Sequence, residues 1–323
     1  MDLTTTYLGL SLRNPLVAAP SPLQQTPGGV LTLVDAGVGA VVLHSLFEEQ
    51  VRRDLDPDFE RDHWFSNPAG PGAPDRYLDL IEQAASSVDV PVIASLNGTG
   101  SGEWTAFAGR AQDAGAAAVE LNFYVVPGQF RGHGEAVEDA VLDLLSAVRD
   151  VVTVPVAVKL PPYFSSLNDL AVRLVEKGAD GLVLFNRFLQ PHIDVGERTV
   201  QPEIELSSRS DARLPQTWIA VLREQVECSL AGTGGVETAD DVAAYLLAGA
   251  DVVQCASVFL RHGRDHARVL LDGLEAWGDA QGFASVADAR GLLAVPWRVP
   301  SEDYQRDGYV SALQIARRTY WWK

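Results

Sequence analysis

Leu247-Ala-Gly249-Ala-Asp-Val252-Val-Gln254 closes one pattern and opens another. A helix-like stretch stops on a glycine, a short turn follows, and an apolar run begins. The same junction recurs at Asp35-Ala-Gly37-Val-Gly-Ala40 into Val41-Val-Leu43, at Asp113-Ala-Gly115 into Val119-Glu-Leu121, and at Glu176-Lys-Gly178-Ala-Asp-Gly181 into Leu182-Val-Leu184. Glycine suits the left-handed position that follows a helix. A continuous apolar run suits a parallel strand covered on both faces.

A second junction alternates with the first. Asn14-Pro15-Leu16, Val90-Pro91-Val92 and Val154-Pro155-Val156 each open an apolar run. Proline is tolerated at a strand start, where its missing N–H matters least. The junction glycines stand roughly 60–80 residues apart, room for two βα units of about 30–40 residues each. The pattern predicts eight strands: 16–21, 40–45, 91–98, 118–124, 155–161, 181–187, 228–235 and 252–257. Amphipathic stretches such as 135–150 and 239–248 lie between them. Eight alternating βα units predict an α/β fold of the (β/α)₈ TIM-barrel class. A doubly wound open sheet is the rival, and no G-x-G-x-x-G follows an early strand to support it.

Working outward, two connections exceed simple turns: Phe47 to Pro74 after strand two, and Phe188 to Leu214 after strand six. Both leave the C-terminal face, where barrel enzymes carry their active-site loops. One domain is expected over 1–323, with the barrel at about 14–282 and a helical extension at 283–323. The aromatic end Tyr320-Trp321-Trp322 has two candidate seats, the barrel or another subunit, so a homodimer is one expected assembly.

Of 323 residues, 47% are hydrophobic and 21% charged, and the formal net charge is −18. Such acidity argues against general binding of nucleic acid or anionic membranes, because both need a basic footprint. No basic stretch followed by an apolar run marks the N-terminus as a targeting segment. The expected setting is the cytoplasm. Cys228 and Cys255 form neither a disulfide framework nor a metal pair, and the six histidines lack a ligand spacing with carboxylates. No metal is expected.

Function is read from polar residues at the ends of buried strands: Ser21, Ser45, Asn97, Asn122, Lys159, Asn186, the Gly232-Thr-Gly-Gly235 turn and Ser257. An amide or amine there needs a partner or a ligand. Lys159 has three readings: a buried ion pair with Glu120, a Schiff-base amine, or a cation that stabilises an anionic flavin. Glu120 and Asn122, two apart, should share one face of strand four. The glycine turn after strand seven, with Ser257 after strand eight, matches the usual barrel phosphate site. Asparagine side chains present both donor and acceptor, as the edge of a flavin ring requires.

These motifs resemble the dihydroorotate dehydrogenase family, especially its soluble class 1 branch. The resemblance rests on Asn14-Pro-Leu, Glu120-Leu-Asn122, Val158-Lys-Leu-Pro-Pro-Tyr-Phe164 and Gly232-Thr-Gly-Gly-Val-Glu-Thr238, and it spans Asn14 to about Gly263. It implies FMN as cofactor and a place in pyrimidine metabolism. Matched position by position, it implies Ala19, Ser21, Asn97, Asn122 and Lys159 around the ring, and Ser45 joins them as a cofactor candidate from its place at the end of strand two. Gly234, Gly235, Ala256 and Ser257 would hold the phosphate, with Ser207 and Ser208 as further candidates. Asn67 and Asn186 fall on the substrate side; His44 stands there in place of the family's residue, and Arg187, in a stretch unlike the family's, is a candidate for a substrate carboxylate by its own chemistry. Lys159 would lie beside the part of the ring where negative charge grows on reduction.

The chain departs from the family where the proton is taken. Class 1 members carry a cysteine base shortly after Glu-Leu-Asn, and here the segment reads Asn122-Phe-Tyr124-Val-Val-Pro-Gly128. Tyr124 or His133 is left as the base. The family's lysine at the end of strand two is His44. An FMN-dependent oxidoreductase acting on a small cyclic or anionic substrate other than dihydroorotate is therefore expected. The alternatives are a flavin-free phosphate-binding lyase or aldolase using Lys159, and an FMN-binding scaffold without turnover.

Overall fold

The structure is a computed structural model that describes residues 1–55, 73–100, 102–124, 133–187 and 191–320. Eight parallel strands form the barrel: β1 (Leu16–Ala18), β2 (Ala40–Val42), β3 (Val92–Gly98), β4 (Ala118–Phe123), β5 (Val156–Leu160), β6 (Gly181–Leu184), β7 (Ser229–Thr233) and β8 (Val252–Cys255). Each pairs with its neighbours in chain order. β8 returns to β1, and β2 pairs with β3, so no edge is left open. Closure removes the edge-strand hazard of an open sheet.

The two kinds of junction have separate physical causes. Gly37, Gly115, Gly178 and Gly249 all adopt positive φ, from 96° to 120°, where a side chain would be strained. Pro15, Pro91 and Pro155 stand one residue ahead of their strands. Their carbonyls accept hydrogen bonds from Val253, Val41 and Val119 of the adjacent strands. Each proline thus joins the ladder through the group it has kept.

The strands are shorter at their C-terminal ends than the sequence patterns predict. β1 stops at Ala18, β2 at Val42, β6 at Leu184 and β8 at Cys255. Beyond these points single cross-strand bonds persist, such as Asn186 N–H to the Leu160 carbonyl at 2.8 Å, and side chains take up the carbonyls left over. Gln24, for example, donates from Nε2 to the Ala19 carbonyl at 2.8 Å.

Neither long connection is featureless. The first contains a two-residue strand, Leu46–Phe47, paired to β3, and a helix over Glu48–Leu55. The second contains an antiparallel hairpin of His192–Asp194 with Thr199–Gln201, then a 3₁₀ turn over Arg209–Ala212.

The other end of the barrel is plugged by an N-terminal hairpin, Thr5–Tyr7 with Leu10–Leu12. Its two-residue turn is Leu8-Gly9, both at positive φ. That geometry matches the right-handed twist of a tight hairpin. Leucine is an unfavourable residue there, and burial compensates: Leu8 is 3% exposed and packs with the barrel interior. Gly181 makes room, since a Cβ on it would meet Leu8 at 2.5 Å. The C-terminal helix, Ser301–Tyr320, does not pack on the barrel. From 303 to 320 every side chain except Ala316 is exposed.

Candidate active site

Strand alternation sorts the barrel's side chains into an outer set and an inner set. The lower inner layer is apolar: Val17, Ala40, Val42, Ile93, Ala118, Ala157, Val183, Ala231 and Val252, closed from below by Tyr7, Leu8 and Leu12. Two residues further along the same strands the layer turns polar, with Ser95 on β3, Glu120 on β4, Lys159 on β5 and Gln254 on β8. Asn97 and Asn122 lie above Ser95 and Glu120. The ladder sets Asn97 opposite Asn122 and Asn122 opposite Lys159. Three adjacent strands therefore deliver two amides and one cation side by side to the mouth. Asn122 Oδ1 is buried without a partner, so its acceptor is available to a ligand.

Lys159, 7% exposed, has its Nζ 3.5 Å from Glu120 Oε1 and 3.4 Å from Gln254 Oε1. Gln254 Nε2 donates to the other Glu120 oxygen at 2.6 Å. The ion pair anticipated for Lys159 is present. Gln254 was not anticipated as its third member. The available signal was one amide inside the apolar run Val252-Val-Gln254-Cys255, and its partner lies on a distant strand.

The phosphate candidates converge. Ser207 donates to Ser257 Oγ from both its backbone N–H, at 3.1 Å, and its hydroxyl, at 2.9 Å. The Gly235 N–H donates to Ser207 Oγ at 3.1 Å, and Arg261 donates to the Ser207 carbonyl at 3.1 Å. Tyr245 holds the carbonyl of Gly234 at 2.8 Å. Gly234 and Gly235 have φ of +97° and +72°. A Cβ at Gly235 would meet Ala212 N at 2.5 Å, whereas at Gly234 it would meet nothing within 4 Å. Gly234 is the open side of this turn and Gly235 the packed side. Ala256 adjoins Ser257 at the start of the helix Ser257–His262. Ser208 instead caps the turn that follows it, through Asp211.

Other predicted contacts are engaged locally. Ala19 donates its N–H to Cys255 O and accepts Gln24 at its carbonyl. Ser21 Oγ donates to Gln24 Oε1 at 2.6 Å and caps a short turn. Ser45 Oγ shares a hydrogen bond with Ser95 Oγ at 2.8 Å. Asn186 uses its amide nitrogen on the carbonyls of Phe123 and Lys159, at 3.0 and 3.2 Å. It thereby ties β4 to β5. Arg187 is paired with Asp211 at 3.4 Å.

Of the two candidate bases, Tyr124 is half-buried directly after β4. His133 is exposed at the N-cap of the helix Gly134–Arg149. No described contact brings His133 to the mouth. Asn67 lies outside the described residues, as does the segment 125–132. His44 stands out instead. Its ring packs edge-on against Tyr77 with centroids 5.1 Å apart, and Nδ1 is buried without a partner. Burial lowers its pKa, with the Gln24 backbone opposing the shift. At neutral pH it is an uncharged imidazole with a vacant acceptor nitrogen. Neither cysteine can serve as a base. Burial pushes the Cys228 thiol up to about 12 and raises Cys255 further still. Among the described residues no group of three or more His, Cys, Asp or Glu is arranged to hold a metal.

The family model for dihydroorotate dehydrogenase matches residues 2–277. Relatives include the catalytic subunit of dihydroorotate dehydrogenase B (NAD(+)) from Methanothermobacter thermautotrophicus. It is 27% identical, over 90% of this chain and 98% of its own. The corresponding subunit from Methanosarcina mazei is 28% identical, over 89% of this chain and 94% of its own, and that from Thermoplasma acidophilum is 27% identical over 90% and 98%. The match runs through the plugging hairpin, all eight strands and the phosphate turn, and the chain belongs to the dihydroorotate dehydrogenase family.

Proposed function

We propose that this chain is an FMN-dependent oxidoreductase that moves a hydride to or from a small cyclic or anionic substrate other than dihydroorotate. The observation that carries the reading is the row Asn97, Asn122 and Lys159, set in register at the mouth with an unpartnered acceptor on Asn122. A planar heterocycle with donor and acceptor edges fits that row. The Ser207, Gly234 and Ser257 group suits its phosphate. When bound, FMN supplies the two-electron acceptor. The chain's residues do the rest: Lys159 places positive charge at the floor of the mouth, Asn122 and Asn97 orient, and His44 offers a neutral nitrogen that can accept a proton. The relatives act, by their names, on dihydroorotate. Here the base cysteine is missing from the segment after β4, and both thiols of the chain are held protonated by burial. Loss of a positioned base costs roughly 10²–10⁴-fold in rate.

The Schiff-base reading is disfavoured by the ion pair. An amine held as the cationic partner of a buried carboxylate is not the neutral nucleophile that reading needs. The test begins with the visible spectrum of the purified protein and the identity of any released flavin. Loaded protein is then mixed anaerobically with dihydroorotate. The expected result is a flavin-bearing protein that dihydroorotate does not bleach on the scale of turnover, about 1 s⁻¹. A colourless protein that cannot be loaded with FMN sinks the flavin reading, and rapid bleaching sinks the exclusion of dihydroorotate.

A further inference from the structure

Of the chain's 25 basic side chains only three are lysines: Lys159, Lys177 and Lys323. A chain that otherwise uses arginine keeps a lysine inside its barrel. The two differ physically, since lysine carries a compact point charge and arginine a broad planar fork. The group around Lys159 fits a compact ion. Glu120 is fully buried and Gln254 likewise, so water does not solvate either. The Gln254 amide faces both ways at once, its nitrogen to the carboxylate and its oxygen to the ammonium. Gln254 Oε1 accepts a hydrogen bond from the ammonium, whereas Glu120 Oε1 faces it as an ion-pair partner without one. Tyr7, on the plugging hairpin, is fully buried, and the Gln254 side chain faces its hydroxyl. Burial first and the Glu120 charge second raise its pKa well above the phenol range. It is a neutral floor and cannot replace Glu120 as counter-ion.

We propose that Glu120 and Gln254 are positioning residues that fix the Lys159 ammonium at the floor of the mouth, level with Asn97 and Asn122. Glu120 supplies the charge that makes a buried ammonium tolerable. An ion whose partner is removed becomes an uncompensated buried charge. Gln254 sets the distance and direction. What the held ammonium does for a flavin rests on the reading above, whereas the holding itself does not.

The small number of lysines makes the test direct. The full-length chain is treated with trace acetic anhydride, and peptide mass spectrometry gives the acetylation rate of Lys159 relative to exposed Lys177. Glu120→Gln should raise that ratio about ten-fold or more, because the buried ammonium loses its counter-ion, and Gln254→Met, which keeps the carboxylate but leaves the amine free to swing toward the mouth, should raise it more than two-fold. Glu120→Asp, which keeps the charge, should restore much of the protection. A ratio within two-fold of wild type in both Glu120→Gln and Gln254→Met overturns the proposal. If Glu120→Gln fails to fold, Gln254→Met carries the same measurement. If neither folds, the network is structural and the positioning role falls. In FMN-loaded protein, Glu120→Gln should lower the flavin midpoint potential, with no further lowering when Lys159→Met is already present. An equal shift in that background would show Glu120 acting independently of Lys159, against the proposal. Protected Lys159 in a chain that never takes up FMN would sink the flavin reading and leave this one standing.

Discussion

At the scale of single residues, the site combines groups committed to the protein with groups left open to a ligand, and substitutions can separate the two. Ser257 Oγ already receives two hydrogen bonds from Ser207. An aspartate there would accept both and add negative charge at the first turn of a helix, where it is tolerated. Ser257→Asp should therefore keep the melting temperature while weakening FMN at least ~100-fold, because juxtaposed like charges cost several kcal/mol. Titration with FMN by fluorescence quenching measures this, and unchanged affinity would move the phosphate elsewhere. His44 makes a pH prediction. Its pKa is lowered in the folded state by burial, so below the ordinary imidazole value of about 6.5 the unfolded chain binds a proton that the folded chain resists. Stability contributed by this residue is constant above that value and falls as pH drops through it, levelling off below the folded-state pKa. His44→Gln should flatten the loss between pH 7 and 5 in urea melts. His266 shifts in the same direction, so an unchanged slope would assign the effect to His266.

At the scale of elements, the barrel was legible because seven of its eight strands are punctuated in alternation: proline before β1, β3 and β5, and glycine at positive φ before β2, β4, β6 and β8. The hairpin was not. Its turn, Leu8-Gly9, lacks the Asn-Gly or Asp-Gly signature that marks tight hairpins. The conformation is set by burial of Leu8 under β6, and the sequence carries no local sign of that. Gln254 escaped for a related reason, since its partner Glu120 is 134 positions away and only barrel closure brings them together. Asn97, Asn122 and Lys159 were legible because a polar residue at the end of an apolar strand is visible without knowing its partner. The hairpin's fit can be tested at Gly181, where an added methyl would meet both Leu8 and the Ser229 carbonyl. Gly181→Ala should destabilise by ~1–3 kcal/mol, the usual cost of overpacking. In a Leu8→Ala background the cost should shrink, because contacting residues do not behave additively. Full additivity would mean that the hairpin tip yields without resistance.

At the scale of the whole molecule, the closed barrel and its C-terminal extension are bound together up to a definite point. Val295 donates to the Ala220 carbonyl at 2.8 Å and Trp297 N–H donates to Glu224 at 2.8 Å. Arg290 pairs with buried Asp251, which also holds Arg223 and the Leu230 N–H. Beyond Val299 this anchoring ends. The helix Ser301–Tyr320 exposes Tyr309, Leu313, Ile315 and Tyr320, each between 47% and 79%. The aromatic end has two candidate seats, the barrel or another subunit; Tyr320 is exposed, and Trp321 and Trp322 lie outside the described residues. No described helix is long and apolar enough to cross a membrane. An element that buries nothing adds nothing to the cooperative unit, since helical stability in proteins comes mainly from packing an apolar face. Removal of residues 301–323 should therefore lower the melting temperature by less than ~2 °C, given that 1 kcal/mol moves a domain of this order by about 2–4 °C. FMN retention should also persist, because among the described residues no hydrogen bond or ion pair joins the helix to the phosphate group or to the Lys159 network. Differential scanning calorimetry at two protein concentrations, with light scattering for mass, decides the matter. A larger fall in melting temperature that grows on dilution, together with a halved mass, would show that the helix is covered by a second copy of the chain. The exposed residues would then form an interface, and the stability of the barrel would belong to the dimer.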